Sequence, residues 1–254
     1  MKMSVITPTA DRENFLKGTY HLLKNQTYTN WEWLICDTSL KPMHFSDARI
    51  TYIHDEGIMT IGQKRNRLIE KSSGDVIVHF DDDDYYAPTY LDQIINHLKK
   101  ASFFTFHSWF SYDSKTGQFF YWDTEERSVT RYSVNALSGS RIREIELGAD
   151  LQVQNDRLNY KGRTGYGFSF AYTKEVAAHC VFKSIDFGED HHFYEDVEAS
   201  GFVINTCADR RGEAIHVIHE SNTSGEFPQY RIPKFLVQDL FPPFFSYLSF
   251  LYEN

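Results

Sequence analysis

Val76-Ile77-Val78-His79-Phe80-Asp81-Asp82-Asp83-Asp84 decides the fold: a short apolar run, suited to a buried strand, empties into four adjacent carboxylates. Before it, Gly62 to Lys71 reads as a short helix turned by Ser72-Ser73-Gly74, and Ile50 to Ile53 and Trp31 to Ile35 read as strands. Phe15, Leu16, Thr19, Leu22 and Leu23 recur at helical spacing behind Asp11, which is placed to cap their helix. Met3 to Ile6 forms a first strand that runs into Pro8. After the acidic run, Pro88 starts a helix marked by Leu91, Ile94, Ile95 and Leu98. Strand and helix thus alternate, which predicts an α/β fold with a mainly parallel central sheet and flanking helices, Rossmann-like in its first half. Ligands of such sheets bind beyond the carboxyl ends of the strands. Thr7-Pro8-Thr9, Asp37-Thr38-Ser39 and Asp81 to Asp84 each follow a strand toward that edge.

The pattern changes in the second half. Phe103 to Tyr112 and Gln118 to Trp122 flank Ser114-Lys115-Thr116-Gly117 and predict an antiparallel hairpin. Residues 125–165 are polar and irregular and yield no assignment. A helix over Glu189 to Ser200 and strands over Phe202 to Cys207 and Ala214 to Ile218 follow. The tail from Phe235 to Tyr252 is aromatic and broken by Pro242 and Pro243; packing on the domain is its expected role, with peripheral membrane contact as the alternative. No repeat or linker divides the 254 residues, so a single domain is expected.

Composition narrows the function. A net charge of −9 argues against nucleic acid as a partner, while leaving room for a nucleotide whose phosphates a cation neutralises. Cys36, Cys180 and Cys207 lack zinc-knuckle or disulfide spacing, which fits a reducing compartment. No signal peptide and no apolar stretch of roughly 18 residues is apparent, so the expected location is cytoplasmic, with the inner face of a membrane within reach.

Four adjacent carboxylates repel one another unless a cation or solvent intervenes. At a strand end they suit a hard divalent ion, Mn2+ or Mg2+, although a solvated acidic loop or a calcium site is also compatible. Asp190 stands among Glu189, His191, His192, Glu195 and Asp196, where it is either a proton acceptor or one acid of a charged helix start. Adjacent His191 and His192 point in different directions on a helix and read as surface residues. Alternation places His216 and His219 on opposite faces, His216 with a structural role. Lys64, Arg65 and Arg67 are a solvated helix face or a counterweight to phosphate. Trp109, Tyr112, Tyr121 and Trp122 are packing aromatics or a stacking surface for a sugar, and Gly165-Tyr166-Gly167 offers a flexible approach to it.

Together these segments resemble the family 2 glycosyltransferases with the GT-A fold. The resemblance is carried, in order, by Ser4 to Arg12, Asn25 through Asp37-Thr38-Ser39, Gly62-Gln63-Lys64-Arg65-Asn66, the D-x-D region Phe80 to Asp84 with Pro88, and Gly188-Glu189-Asp190. A late His219 to Ser224 stretch is similar to that family's H-x-x-N-T-S element. Cys36, Thr38 and Ala10 depart from its usual residues. The resemblance implies a nucleotide-sugar-binding half over 1–100, an acceptor-binding and catalytic half over 101–225, and a tail over 226–254. It implies that Thr7, Pro8 and Thr9 line the nucleotide pocket, that Asp37 and Arg65 lie near the base, uracil, and that Asp81 and Asp82 contact the nucleotide sugar. Asp83, completed by His219, would bind the divalent cation. Asp190 would be the general base, and Glu189, Trp109 and Trp122 would meet the acceptor. The implied reaction is inverting transfer from a UDP-sugar to a glycan or other hydroxyl acceptor, as in polysaccharide biosynthesis. A metal-dependent nucleotidyltransferase is the enzymatic alternative, though the first loop lacks the glycine-rich basic character expected for it. A glycosidase would leave that loop unexplained, and a non-catalytic glycan- or nucleotide-sugar-binding module would need no base.

Overall fold

The computed structural model describes residues 1–125, 164, 166–220, 222 and 230–251, with the backbone alone at 132–134, 142–144 and 252–253. Gly165, Thr223 and Ser224, named above, lie outside the described residues.

Four parallel strands form the first half of the sheet: β1 (Met3–Thr9), β2 (Trp31–Asp37), β3 (Ile50–His54) and β4 (Val76–His79). Their order is β4-β1-β2-β3. Between them run α1 (Glu13–Lys24) and α2 (Ile61–Lys71). After β4 come the short β5 (Tyr85–Tyr86), α3 (Tyr90–His97) and the hairpin of β6 (Phe103–Asp113) and β7 (Gln118–Asp123), turned at Gly117 with φ 68°. The backbone of β8 (Tyr132–Val134) pairs with β9 (Ile142–Glu144). The sheet is completed by β10 (Ala171–Thr173), β11 (Ile204–Ala208), β12 (Ala214–Ile218) and β13 (Tyr230–Ile232). The remaining helices are α4 (Lys174–His179), α5 (Glu189–Ala199), α6 (Lys234–Leu240) and α7 (Phe244–Glu253). Antiparallel β10 slots between β4 and β6, and β11 and β12 both run parallel to β6. The result is one mixed sheet whose first half is parallel and whose second part combines parallel and antiparallel pairs.

Period-two alternation, with cover on both sides, gives the central strands β1, β2 and β4 two buried faces. Met3, Val5, Trp33, Val78 and Phe104 belong to a core shared with α1, α3 and α7. Ile6, Leu34, Ile77 and Phe103 face the other way, toward Leu68 of α2, Val176 of α4 and Phe193 of α5. Burial on both faces is the condition for a parallel strand, and each such side chain contributes about 1.5–3 kcal/mol.

Two local readings change. β1 continues past Ile6 to Thr9, straight through Pro8. Phe80 N–H donates to the Ile6 carbonyl, and Thr38 N–H donates to the Thr9 carbonyl. Backbone polar groups alternate sides, so the N–H that Pro8 lacks would face the flank where β4 has already ended. Asp11 does not cap α1: Arg12 is the N-cap, and Asp11 adopts φ 56° while its N–H donates to Ser39 Oγ at 2.6 Å.

Candidate active site

The parallel register sets Thr9 beside Asp37 and Ile6 beside His79, so three strand ends open onto one edge. Asp81 to Asp84 turn across it. Each of the four carboxylates has its own partner. Arg65 Nη2 lies 3.5 Å from Asp81 Oδ1. Thr9 Oγ1 donates to Asp82 Oδ2 at 2.5 Å, and Arg12 Nη1 to Asp82 Oδ1 at 2.8 Å. Arg12 Nη1 also donates to Asp83 Oδ2 at 2.5 Å, and that same oxygen faces His219 Nε2 at 2.9 Å. Asp84 accepts from Val217 N–H at 2.8 Å and lies 2.9 Å from His216 Nδ1.

These environments separate the carboxylates electrostatically. Burial, with the neighbouring Asp83 charge, raises Asp82 to about 7, and burial raises Asp84 to about 6. Burial pushes Asp83 up as well, but the His219 hydrogen bond and the Arg12 charge outweigh it and hold Asp83 below the ordinary carboxylate range. Asp83 is therefore the acid of this run that stays charged most readily.

Both histidines of the 216–219 stretch reach the acidic run, which corrects the expectation of opposite faces. β12 ends at Ile218, and the chain turns there: Asn222 Nδ2 donates to the Val217 carbonyl and His219 N–H to Asn222 Oδ1. Strand alternation ceases to apply at His219.

Beside Asp81 lies a second acidic pair. α5 begins after Gly188, whose φ of 80° suits glycine, and presents Glu189 and Asp190 in its first turn. Asp190 is 8% exposed. Its Oδ2 accepts from Gly167 N–H at 2.9 Å and its Oδ1 from His191 N–H at 2.7 Å. A Cβ at Gly167 would stand 3.0 Å from Asp190 Cβ, so a larger residue there would crowd this contact. Glu189 pairs with Arg65 Nη1 at 2.6 Å, and burial raises its carboxyl to about 7. His191, expected on the surface, is mostly covered and meets Thr164 Oγ1 at 2.5 Å.

Arg65 therefore bridges Asp81 and Glu189, while Asp37 is held by other partners. The reason is helical phase. α2 turns Lys64 toward β1, where Nζ donates to the Thr9 carbonyl at 2.8 Å, and sends Arg65 to α5 and Arg67 to Asp55. Asp37 is buried, with Oδ1 accepting from Ser39 N–H at 2.8 Å and Oδ2 from the Tyr52 hydroxyl at 2.6 Å. The Thr7 hydroxyl is equally occupied, donating to the Phe80 carbonyl and accepting from Trp33 Nε1. Trp109, expected to meet an acceptor, has no exposed surface; Trp122 and Tyr166 pack on it at 5.3 and 5.0 Å and are themselves only partly covered.

This arrangement of strands has known counterparts. The chain matches the profile of Glycosyl transferase family 2 over residues 4–177. It belongs to that family. Among curated family members, WfgD of Escherichia coli, a UDP-Glc:alpha-D-GlcNAc-diphosphoundecaprenol beta-1,3-glucosyltransferase, is 31% identical over 104 residues, covering 39% of this chain and 41% of that protein. The putative teichuronic acid biosynthesis glycosyltransferase TuaG of Bacillus subtilis is 25% identical over 108 residues, covering 39% of this chain and 43% of its own. The matched region thus spans about two fifths of these relatives. S. aureus TarS in complex with UDP-GlcNAc shares the fold with a TM-score of 0.58 and 15% identity, over 89% of this chain and 62% of that one. The mannosyltransferase PcManGT of Pyrobaculum calidifontis, in complex with GDP-Man and Mn2+, does so with a TM-score of 0.53 and 13% identity, over 88% and 58%.

For a family 2 chain, the decisive question is whether the acidic run can hold a divalent cation. Asp83 Oδ2 and His219 Nε2 stand 2.9 Å apart and are the pair that would hold one. Among the described residues no group of three or more His, Cys, Asp or Glu is placed to hold a metal ion. Two protein ligands with open positions is the pattern of a cation completed by substrate phosphates, and the donor set fits. Two residues at this acidic edge are not legible as such in the sequence. Arg12 looks like an ordinary helix-start residue, and Tyr86 looks like core, yet its hydroxyl accepts from Asp81 N–H at 2.9 Å and donates to the Phe168 carbonyl, fixing the acidic turn.

Proposed function

We propose that this chain is an inverting glycosyltransferase that moves a sugar from a UDP-sugar to an acceptor hydroxyl, assisted by Mn2+ or Mg2+. The observation that carries the reading is the pairing at one sheet edge of Asp83–His219 with a second carboxylate, Asp190, clamped by two backbone N–H groups. The first pair suits a donor diphosphate. The second suits a proton.

Thr7, Pro8 and Thr9 shape the nucleotide pocket at the end of β1, with Asp37 ordering its far wall through Ser39 and Tyr52. Asp81 and Asp82 receive the ribose and the sugar, and Arg65 couples Asp81 to Glu189. A divalent cation on Asp83 and His219 supplies Lewis-acid neutralisation of the departing diphosphate when bound. Asp190 takes the proton of the acceptor hydroxyl. That oxygen forms a bond to the anomeric carbon as the carbon–oxygen bond to the diphosphate breaks, with attack and departure on opposite faces. Both Asp190 oxygens are oriented by backbone donors while each keeps a lone pair for the incoming proton. Glu189 stands next to it on the acceptor side, and Trp122 with Tyr166 offers aromatic faces to a glycan. UDP as the leaving group is supported by the donor named for WfgD and the ligand of TarS. A role in polysaccharide biosynthesis is supported by the name of TuaG, and a lipid-linked acceptor by the name of WfgD. No helix among the described residues is long and apolar enough to cross a membrane.

The test is thermal shift across nucleoside diphosphates and nucleotide sugars, each with Mn2+, with Mg2+ and with chelator. UDP-selective, metal-dependent stabilisation is expected. Indifference to every nucleotide under both metals would sink the reading in favour of a glycan-binding module.

A further inference from the structure

Arg12 belongs to the turn between β1 and α1, and no step of the transfer chemistry uses it. Its guanidinium nevertheless occupies the acidic edge: one nitrogen, Nη1, reaches both Asp82 Oδ1 and Asp83 Oδ2. Asp83 Oδ2 is also the oxygen that faces His219. A guanidinium and a divalent cation cannot both sit against that oxygen, because like charges a few ångströms apart in a buried site repel strongly. One must leave for the other to bind.

The surroundings allow Arg12 to be the one that leaves. Its side chain is 24% exposed, against 3% and 10% for its two partners. Asp82 keeps the Thr9 hydroxyl and Asp83 keeps His219 if the guanidinium departs, so neither carboxylate is stranded. The main chain stays pinned through Asp11 N–H on Ser39 Oγ, and the motion is confined to a long side chain. Phe15 provides a nearby aromatic surface, its ring 5.8 Å from Arg12 Cζ and stacked on His219.

We propose that Arg12 is a built-in counter-ion of the acidic site, displaced from Asp82 and Asp83 when a divalent cation and a nucleoside diphosphate bind together, and that the freed guanidinium then pairs with the diphosphate. The inference rests on the nucleotide-sugar reading above. Its consequence is coupling. A divalent cation alone must evict Arg12 with no anion to receive it, and so binds weakly. With the diphosphate present, the displaced guanidinium gains charge-assisted hydrogen bonds, and each ligand raises the affinity for the other by the same factor.

Calorimetric titration of Mn2+ and UDP into the wild-type protein and Arg12→Gln tests this. In the wild type, UDP is expected to tighten Mn2+ at least about tenfold, the scale of one charge-assisted hydrogen bond. Arg12→Gln is expected to bind Mn2+ alone about tenfold tighter than wild type and UDP in saturating Mn2+ about tenfold weaker. Equal Mn2+ affinity for the wild type with and without UDP overturns the proposal, and this measurement needs no variant that might misfold. Unchanged affinity for Mn2+ alone in Arg12→Gln overturns it as well, while leaving the transferase reading intact if wild type still binds UDP with Mn2+. Wild-type UDP binding that survives chelator but is lost in Arg12→Gln would show that the guanidinium stands in for the metal permanently, also overturning displacement. Wild type that binds no UDP under either metal removes the underlying reading, and the inference with it.

Discussion

Asp190 is positioned by backbone, which makes its substitution informative. Asparagine keeps the shape but has one acceptor oxygen, so it can accept from Gly167 N–H or His191 N–H and not both, and it cannot take a proton. Asp190→Asn is expected to lower turnover by about 10²–10⁴-fold with UDP affinity unchanged, read by steady-state transfer and nucleotide titration. Full turnover in the variant would exclude Asp190 as the base. Its neighbour Glu189 makes a prediction about pH. Burial lifts Glu189 from 4.5 to about 7, so the folded state favours its protonated form. The stability that this preference contributes is full below pH 4.5 and is lost as pH rises through 7. Glu189→Gln cannot ionise. The variant keeps an oxygen for Arg65 and mimics the neutral carboxyl, so its melting temperature falls less between pH 4.5 and pH 8, by the equivalent of roughly 2–3 kcal/mol. Parallel curves for the two proteins would refute the burial account. At this scale the sequence was legible where chemistry alone selects the residue: a run of acids at a strand end, an acid at a helix start. It was not legible where a role depends on direction. Arg65 bridges Asp81 and Glu189 because of its phase on α2, and Arg12 becomes part of the site only because β1 extends through Pro8 and brings its turn over the acids.

Among the elements, α2 carries the most constraint. Thr60 caps it through a reciprocal box with Gln63, and its buried face places Lys64 on β1 and Arg65 on α5. It can do so because Gly62 lies flush against the 182–186 segment: Gly62 N–H donates to the Ile185 carbonyl, and a Cβ there would meet the Lys183 carbonyl oxygen at 1.8 Å. That obstacle is backbone and cannot rotate aside. Gly62→Ala is expected to push α2 off this seam at a cost of about 1–3 kcal/mol, and to lower the melting temperature by roughly 2–12 °C. Since Arg65 moves with the helix, turnover should fall too; an unchanged melting temperature would mean that the seam is looser than the contact implies. Strongly periodic elements such as α2, β2 and the β6–β7 hairpin could be read from pattern. β10 could not, because three residues carry no period, and its antiparallel insertion is fixed only by pairing with β4 and β6 on either side. β12 was read with its observed bounds, yet the turn at Asn222 that redirects His219 is invisible to alternation.

For the whole molecule, the C-terminal helices decide whether the site survives. α6 and α7 are part of the main core: Val237, Phe241, Phe244 and Tyr247 are buried among Tyr85, Phe110, Tyr112 and Phe119. Leu251 packs on α1 so closely that a Cβ at Gly18 would meet its Cδ2 at 2.5 Å. Tyr85 directly follows the acidic run, and Tyr247 hydroxyl lies 3.5 Å from the Asp84 carbonyl, so the tail backs the carboxylates from behind. Each buried aromatic of this kind contributes about 1.5–3 kcal/mol. Phe241, Phe244 and Tyr247 together therefore represent a large part of the roughly 5–15 kcal/mol that a domain has in total. Ending the chain at residue 233 is expected to leave Tyr85, Phe110 and Phe119 exposed and to abolish cooperative thermal unfolding, measured by calorimetry or near-UV circular dichroism. A milder variant, Phe244→Ala, should remain folded with a loss of about 3–5 kcal/mol. If the shortened chain instead melts like the full one, the tail is an appendage and the support of Asp81 to Asp84 must come from β5 and α3 alone.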